Sequence, residues 1–539
     1  MGYTNSPSYT THETQKVPAC FTISSRDFSY SVGLVLDAGM VNLLPTKSPE
    51  KNNADLYAET RPAVYGSVLE TSSAFVRGVY VWEKTSALTY YYAVAGVKVF
   101  TSTDGFTWTA VTTLATASNN PVGFTEFIDS TTNTKSLVLV DGIEGWVYTS
   151  NAAGTKITDA NFPTPHLPTP IYLDGYLLLA KTNTGDIYNS NLNTPSAWTA
   201  GNFISSELYP DDVRALVKVN NYMLAVGSQG CEYFYDAGIA TGSPFARQGG
   251  ASLPFGCTIP FSIASNKNTV VMLANNNDGG VTLKVIEDFK TRDISPNWLM
   301  TLLPSSTTLL GTGPASIRGF FLRYAGDLFY VLRLGASSAT DPNYATFAYS
   351  FNTDMWIELK SGSAGFAASC SCAGTGTNIV SFVGGNYFSV TPNSFPFFGT
   401  FGQSSVFSTM GGGAITPRIA RDQLYNNATA LMVYTDKIYT EIRTALMTFG
   451  NIKIKTMSRF GIEFTGKSYL GPLSEVFSVY HSDDDYNTWS AVRTLNGSGD
   501  FPFITQLGAF RQRAFKVTFK GDTNILYKFF EVDINKGVQ

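Results

Sequence analysis

Apolar and polar residues alternate in short runs along most of this chain, and the runs recur. The clearest case lies within 203–257. Val213, Ala215, Val217 and Val219 alternate as one face of a half-buried strand should. Asn220-Asn221 turns the chain, residues 222–226 return, 227–230 turn again, and 231–235 form a third, aromatic strand. The pattern predicts a meander of antiparallel strands joined by tight polar turns. An acidic, proline-broken entry precedes it, Ser206-Glu207-Leu208-Tyr209-Pro210-Asp211-Asp212. A loop with one exposed arginine follows, Ser243-Pro244-Phe245-Ala246-Arg247-Gln248-Gly249-Gly250-Ala251.

Similar clusters of strands appear at 75–101, 124–149, 171–198, 261–286 and 320–359, with a weaker one at 379–390. Their spacing of roughly 40 to 50 residues, three or four strands each, is that of β-propeller blades. The expectation is an all-β chain: a propeller of about six to eight blades followed by a β-sandwich, with a pair of sandwiches as the alternative. The expected boundaries are an extended, polar N-terminal arm (1–28), the propeller (29–393), a Gly/Ser-rich linker (394–425) and the sandwich (426–539). Residues 440–449 carry Ile442, Ala445, Leu446 and Phe449 at helical spacing, but Ile452, Ile454 and Thr456 alternate. Strands are therefore expected on both sides of Gly450-Asn451.

Composition agrees with a β-rich protein. Of 539 residues only 14% are charged and as many are aromatic, with 48 glycines. The surface must be carried largely by Ser, Thr, Asn and Gly. A net charge of −4 supplies no basic field for tight nucleic-acid binding. Five cysteines with no Cys-x-x-Cys spacing and three histidines argue against a zinc site and for reduced, structural thiols. The first twenty residues carry no apolar core of a signal peptide, and no run is long enough to span a bilayer. Met1-Gly2 with Ser6 fits the myristoylation pattern formally, but the pattern is short and lacks a polybasic partner.

Candidate chemistry is sparse. Residues 101–108 (TSTDGFTW) and 482–489 (SDDDYNTW) read as Asp-boxes, in which the aspartate accepts backbone N–H bonds within a hairpin turn and the tryptophan packs beneath. That role is structural. Glycoside hydrolysis needs a spaced pair of carboxyl groups; Glu207, Asp211, Asp212 and Glu232 are the available acids, mostly in turns where they would cap N–H groups. Asp483-Asp484-Asp485 cannot all face one calcium ion from a single turn. Cys370 and Cys372 are expected to be buried thiols. Arg511 and Arg513, with Arg493 and Lys516, form one modest basic cluster, read as a sandwich face answering acidic neighbours or as a contact with another subunit. No catalytic residue, cofactor or metal is expected.

Several segments, in order, resemble one family: the packaged-DNA stabilization protein, also called the tail hub or nozzle, of short-tailed bacteriophages. They are Val41-Asn42-Leu43-Leu44-Pro45, Arg77-Gly78-Val79-Tyr80 with Tyr92-Ala93-Val94-Ala95-Gly96, Leu139-Val140-Asp141-Gly142 with Trp146-Val147-Tyr148, Leu173-Asp174-Gly175-Tyr176, Cys231-Glu232-Tyr233-Phe234-Tyr235-Asp236, Pro244-Phe245-Ala246-Arg247, Gly326-Asp327-Leu328-Phe329-Tyr330 and Tyr480-His481-Ser482-Asp483-Asp484. The chain departs from the family pattern at Asp327, where histidine is frequent, and at Tyr486-Asn487, where a glycine pair is usual. The resemblance implies a non-enzymatic virion tail protein, made in the host cytoplasm. It implies a ring of copies, usually six, below the portal and adaptor, which continues the DNA channel, retains packaged DNA until ejection and carries fibres, spikes or a plug. Function would then lie in surfaces, and the candidate interface residues are Glu207, Tyr209, Asp211, Asp212, Phe245, Arg247, Arg511 and Arg513, together with the N-terminal arm. DNA would pass without tight binding, and no membrane is involved. A sialidase-like enzyme or glycan-binding propeller is the competing reading.

Overall fold

The structure is a computed structural model. It describes residues 11–24, 28–29, 33–34, 37–48, 55–68, 75–115, 118, 120–257, 259–276, 280–300, 317–334, 345–361, 364–366, 368–373, 381–388, 394–401, 421–426, 432–467, 476–497, 501–521 and 523–536. The myristoylation-like start lies outside them.

Nearly all of it is strand, and the described residues form a seven-bladed propeller. Blade 1 comprises Val76–Thr85, Leu88–Ala95, Lys98–Ser102 and Thr109–Thr113, inner strand first. Blade 2 runs from Gly123–Asp129 to Thr155–Lys156, blade 3 from Ile171–Leu173 to Thr194–Ser205, and blade 4 from Val213–Val219 to Phe245–Leu253. In blade 5 the innermost position is shared by two short strands, Phe255–Cys257 and Ala264–Asn266, both paired to Thr269–Asn276. Blade 6 runs from Arg318–Tyr324 to Trp356–Glu358. Blade 7 takes Ala368–Ala373, Ser381–Phe388 and Ser394–Phe401 from late in the chain and its outermost strand, Val64–Val68, from before blade 1. That last pairing closes the ring, because it ties the first blade's leader to the last blade.

The local reasons are visible in blade 4. Val213, Ala215, Val217 and Val219 are buried while Arg214 and Lys218 are exposed, as an alternating strand requires. The next strand, Tyr222–Gly227, is buried at every position after the first, because neighbouring blades cover both its faces. Asn220 sits at φ 54°, the left-handed conformation that a tight hairpin demands and asparagine tolerates. Where inner strands converge there is no room for side chains. A Cβ on Gly123 would lie 2.2 Å from Pro170 and one on Gly256 2.2 Å from the backbone of Ser228.

The propeller core is divided by blade interface. Phe127, Val138, Val140, Leu177, Leu179 and Trp198 pack between blades 2 and 3, and Val76, Val79, Trp108, Phe382 and Phe398 between blades 1 and 7. The C-terminal domain is different. Its two sheets, built on Met432–Arg443 with Ala514–Gly521 and on Lys455–Lys467 with Asn524–Lys536, enclose one large cluster that includes Phe460, Phe477, Phe515 and Phe530. That cluster runs on into residues of blades 6 and 7 such as Phe320, Val331 and Val383.

The chain crosses the expected boundaries in three places. Thr11–Pro18 is no free arm: it pairs antiparallel along Asn524–Lys536, from Thr11 opposite Lys536 to Pro18 opposite Phe529. Within 12–18 only Val17 is buried, so an edge strand that packs mostly polar side chains reads as irregular sequence. Gly39–Val41, Leu43–Lys47 and Leu56–Thr60, expected in the propeller, also belong to the C-terminal sheets. Ser394–Phe401, expected to open the linker, is a propeller strand with Phe398 and Phe401 buried; the residues 402–420 lie outside the described set.

The joint between the two units is continuous sheet. Val41 bridges Glu358 of blade 6 in parallel and Glu441 of the sandwich antiparallel. Arg61, 1% exposed, donates to the Asn42 side chain (3.0 Å) and to the carbonyls of Pro62 and Lys360 (both 2.9 Å). The strand Arg421–Asn426 runs parallel to Val64–Val68 and antiparallel to Met432–Arg443.

Candidate interaction surface on the propeller face

The acidic entry loop links the outermost strand of blade 3 to the innermost strand of blade 4, so it lies over the end of the propeller where inner strands begin. It is held down at both ends: Ser206 N–H donates to Gly185 O (2.9 Å) and Val213 N–H to Thr184 O (3.0 Å). Glu232, 2% exposed in the third strand of blade 4, anchors its middle. One carboxylate oxygen accepts from the Ser206 hydroxyl (2.7 Å) and from Leu208 N–H (2.8 Å); the other pairs with Arg247 Nε at 2.6 Å. Asp211 accepts from Gln229 N–H (2.6 Å) and the Ser228 hydroxyl (3.3 Å), capping the 227–230 turn. Tyr209 lies on Gly230, where a Cβ would come within 2.0 Å of its ring. Asp211 and Arg247 thus act as braces.

What remains available on this face is Glu207 and Leu208, both exposed, with Tyr209 and Asp212 half-buried beside them. Arg247 keeps 39% of its side chain exposed despite its ion pair. Two of the expected interface residues do not reach a surface. Phe245 is 1% exposed and packs against Tyr176, ring centroids 5.6 Å apart. It is the first residue of an outer strand whose inward face closes on blade 3, which a loop assignment concealed. Arg513 is also 1% exposed: its guanidinium grips both oxygens of Asp483 at 2.7 Å, donates to Leu507 O (2.8 Å) and lies 4.4 Å over the Phe510 ring. The expected basic cluster is therefore not a surface cluster; Arg511 alone of the pair is exposed.

Both Asp-boxes are turns of the expected kind. Asp104 accepts from Phe106 N–H (2.8 Å) and Thr107 N–H (2.7 Å), and Trp108 packs on Phe398 at 4.9 Å. Partial burial acts to raise its carboxyl, but the bonds from Ser102, Phe106 and Thr107 outweigh it and hold the group below the ordinary range. Asp484 accepts from the Thr488 hydroxyl and N–H and from Ser482, which hold its carboxyl at about 2. The three aspartates at 483–485 do not converge, since Asp483 turns to Arg513 and Asp484 to its own turn. Among the described residues no cluster of His, Cys, Asp and Glu could hold a metal ion, and all five cysteines are free thiols. Burial pushes the thiols of Cys20 and Cys257 up to about 12, so they stay protonated. No helix among the described residues is long and apolar enough to cross a membrane.

Sequence reading assigned no role to two buried arginines near the start of inner strands, Arg77 and Arg318. Arg77, fully buried, donates to Asn120 O (2.8 Å) and Gly96 O (3.1 Å) and stands 4.0 Å from the buried carboxylate of Asp141. Arg318, at the start of the blade 6 inner strand, reaches past blade 7 to donate to Val76 O of blade 1 (3.1 Å). The triplets Val76-Arg77-Gly78 and Ile317-Arg318-Gly319 repeat at the same strand position, and that repetition was the available signal.

The described residues thus form a closed propeller joined by continuous sheet to a sandwich. The chain belongs to the phage stabilization family described as Bacteriophage P22 Gp10, beta-propeller, which matches residues 32–368, more than half of its length. It is thus a bacteriophage protein of a virion structural family. No curated protein matches the sequence. Among solved structures it is similar to virginiamycin B lyase from Staphylococcus aureus (11% identity, 62% of this chain and 98% of that one, TM-score 0.37). It is also similar to YCF48 bound to a D1 peptide (12%, 63% and 98%, TM-score 0.37) and to an exo-β-1,3-galactanase from Phanerochaete chrysosporium (10%, 88% and 100%, TM-score 0.27). At these scores they enter no argument about function.

Proposed function

We propose that this chain is a tail hub or nozzle subunit: a non-enzymatic structural protein whose copies assemble into a ring, continue the DNA conduit and hold other tail proteins on their outer faces. The observation that carries the conduit reading is Arg318 crossing from blade 6 to blade 1. Inner strands tied this closely leave an axial opening narrower than a duplex, so a family member that passes DNA must do so between copies. Continuous sheet from blade 6 through Val41 into the sandwich supports the same reading, because a conduit wall needs a rigid subunit. Glu207, Leu208, Tyr209, Asp212, Arg247 and Arg511 are the contacts proposed for neighbouring subunits, the adaptor above, or fibres, spikes and a plug.

The net charge of −4 favours a lumen that retains DNA sterically. A lumen dense in Lys and Arg would bind the duplex tightly at low salt and retard its exit. Light scattering after size exclusion tests assembly, with a higher oligomer, or a ring formed on addition of adaptor, as the expected result. Strong, steeply salt-dependent binding of duplex DNA by the assembled ring would sink the neutral-lumen proposal. Turnover of host polysaccharide by the purified chain, abolished in Glu232→Gln, would replace the structural reading with an enzymatic one.

A further inference from the structure

We propose that blade 4 carries a binding pocket for a neutral pyranose sugar, between its outer edge and the tip of blade 5. The outermost strand of blade 4 pairs with its neighbour at both ends, Ser252 opposite Glu232 and Arg247 opposite Phe234. Residues 248–251 therefore have no ladder partner where Tyr233 stands, and they bulge away from it. Gly250 supplies the turn at φ 74°, and nothing lies within 4 Å of a Cβ on Gly249 or Gly250. The space released is a cavity of about 370 Å³, lined by Tyr222, Tyr233, Gln248, Ser252, Leu253 and Phe289 with the 250–251 backbone.

Two features mark it as a built site. Phe289 is delivered from blade 5 by a turn in which Asp288 and Phe289 take φ 45° and 68°, a conformation that bulky residues rarely adopt. The Asn220 side chain donates to Asp288 at 3.0 Å and pins that turn to blade 4. Phe289 stays 40% exposed while its ring stands 5.1 Å from Tyr222 and 4.6 Å from Tyr233. The second is Tyr233, which is fully buried, so its ring forms a fixed floor beneath Phe289.

The chemistry of the lining selects the ligand. No charged side chain lines the cavity, which disfavours an ionic group. One wall is aromatic; the other offers the Gln248 amide, the Ser252 hydroxyl and open backbone. A ligand with an apolar face and a hydroxylated edge satisfies both, and a pyranose ring has that shape: its C–H face stacks on an aromatic ring while its hydroxyls reach amide and hydroxyl groups. A purely apolar side chain of another protein would leave the polar wall unanswered.

The test uses the full chain and four probes, the methyl glycosides of glucose, galactose, N-acetylglucosamine and rhamnose, followed by saturation-transfer NMR with titration. At least one probe is expected to bind, with affinity lost in Phe289→Ala and weakened about five- to tenfold in Gln248→Ala, which keeps the aromatic wall and removes the amide. Far-ultraviolet circular dichroism and melting of both variants establish that they fold. If no probe gives transfer, or if transfer survives in both folded variants, the proposal fails. If sugars are silent and Phe289→Ala instead abolishes self-association in light scattering, the pocket is an interface between copies and the sugar assignment is overturned.

Discussion

The propeller and the sandwich are both antiparallel β-structure, yet they are assembled in opposite ways. Six of the seven blades use strands consecutive in the chain, and most interfaces between blades have their own small cluster of apolar side chains, the one between blades 6 and 7 being part of the sandwich core. The sandwich gathers Thr11–Pro18, residues 39–60 and residues 432–536 around one continuous core. Local pairing makes the propeller modular. Pairing across hundreds of residues makes the sandwich dependent on both ends of the chain. The difference implies that damage in a blade stays near that blade, whereas damage to either terminus is felt throughout the second domain.

Deleting residues 1–18 is the severest test. It strips an eight-residue ladder from Asn524–Lys536, removes buried Val17 and exposes a long strand edge. We expect the sandwich to lose more than about 3 kcal/mol and to aggregate, with blade 2 to blade 4 amides retaining their protection in hydrogen exchange. Arg61→Ala attacks the joint, removing the donor to two carbonyls and leaving the Asn42 oxygen with Lys360 N–H alone; a loss of about 3 kcal/mol is expected, seen as separate melting of the two units in calorimetry. A single transition at the wild-type temperature would show that the units do not depend on this arginine. Arg513→Ala leaves Asp483 unpaired beside the sandwich core and should cost about 2 kcal/mol there, with propeller exchange rates unchanged. Asp104→Ala removes the oxygen that accepts from two N–H groups of one blade 1 turn; about 1 kcal/mol is expected, confined to the contact between blades 1 and 7.

The smallest effect is on pH, and it compares the two regions directly. Asp104 in the propeller and Asp484 in the sandwich both have folded-state carboxyls below the unfolded value, the second at about 2. Each therefore contributes stability that is present above about pH 4 and declines as the pH falls toward 2. Urea titrations across this window should show a modest decline in wild type and a shallower one in Asp484→Asn. An equal slope in the variant would remove Asp484 from the account.

Much of the first region was legible in the chain. The strand pairs of blade 4 and the turn at Asn220 follow from alternation and from asparagine's tolerance of positive φ, both local properties. The Asp-boxes were legible for the same reason: an aspartate bonding N–H groups two to four residues on needs no distant partner. The candidate surface was legible only in part. Glu207 and Arg247 are exposed as expected, but the burial of Phe245 and Arg513 is set by Tyr176 and Asp483, which lie far away in sequence. The Tyr233 pocket gave one faint sign, Gly249-Gly250 within an outer strand, where glycine marks a bulge.

By itself, the sequence determined the all-β class, the repeat of blades and the turn chemistry, because period-two alternation and left-handed turn residues act over a few positions. Tertiary structure alone decided that Val64–Val68 closes blade 7, that Thr11–Pro18 completes the sandwich and that Arg318 of blade 6 reaches blade 1. Backbone hydrogen bonds are the same for every residue, so a strand's partner is chosen by the apolar faces and edges left open elsewhere in the fold.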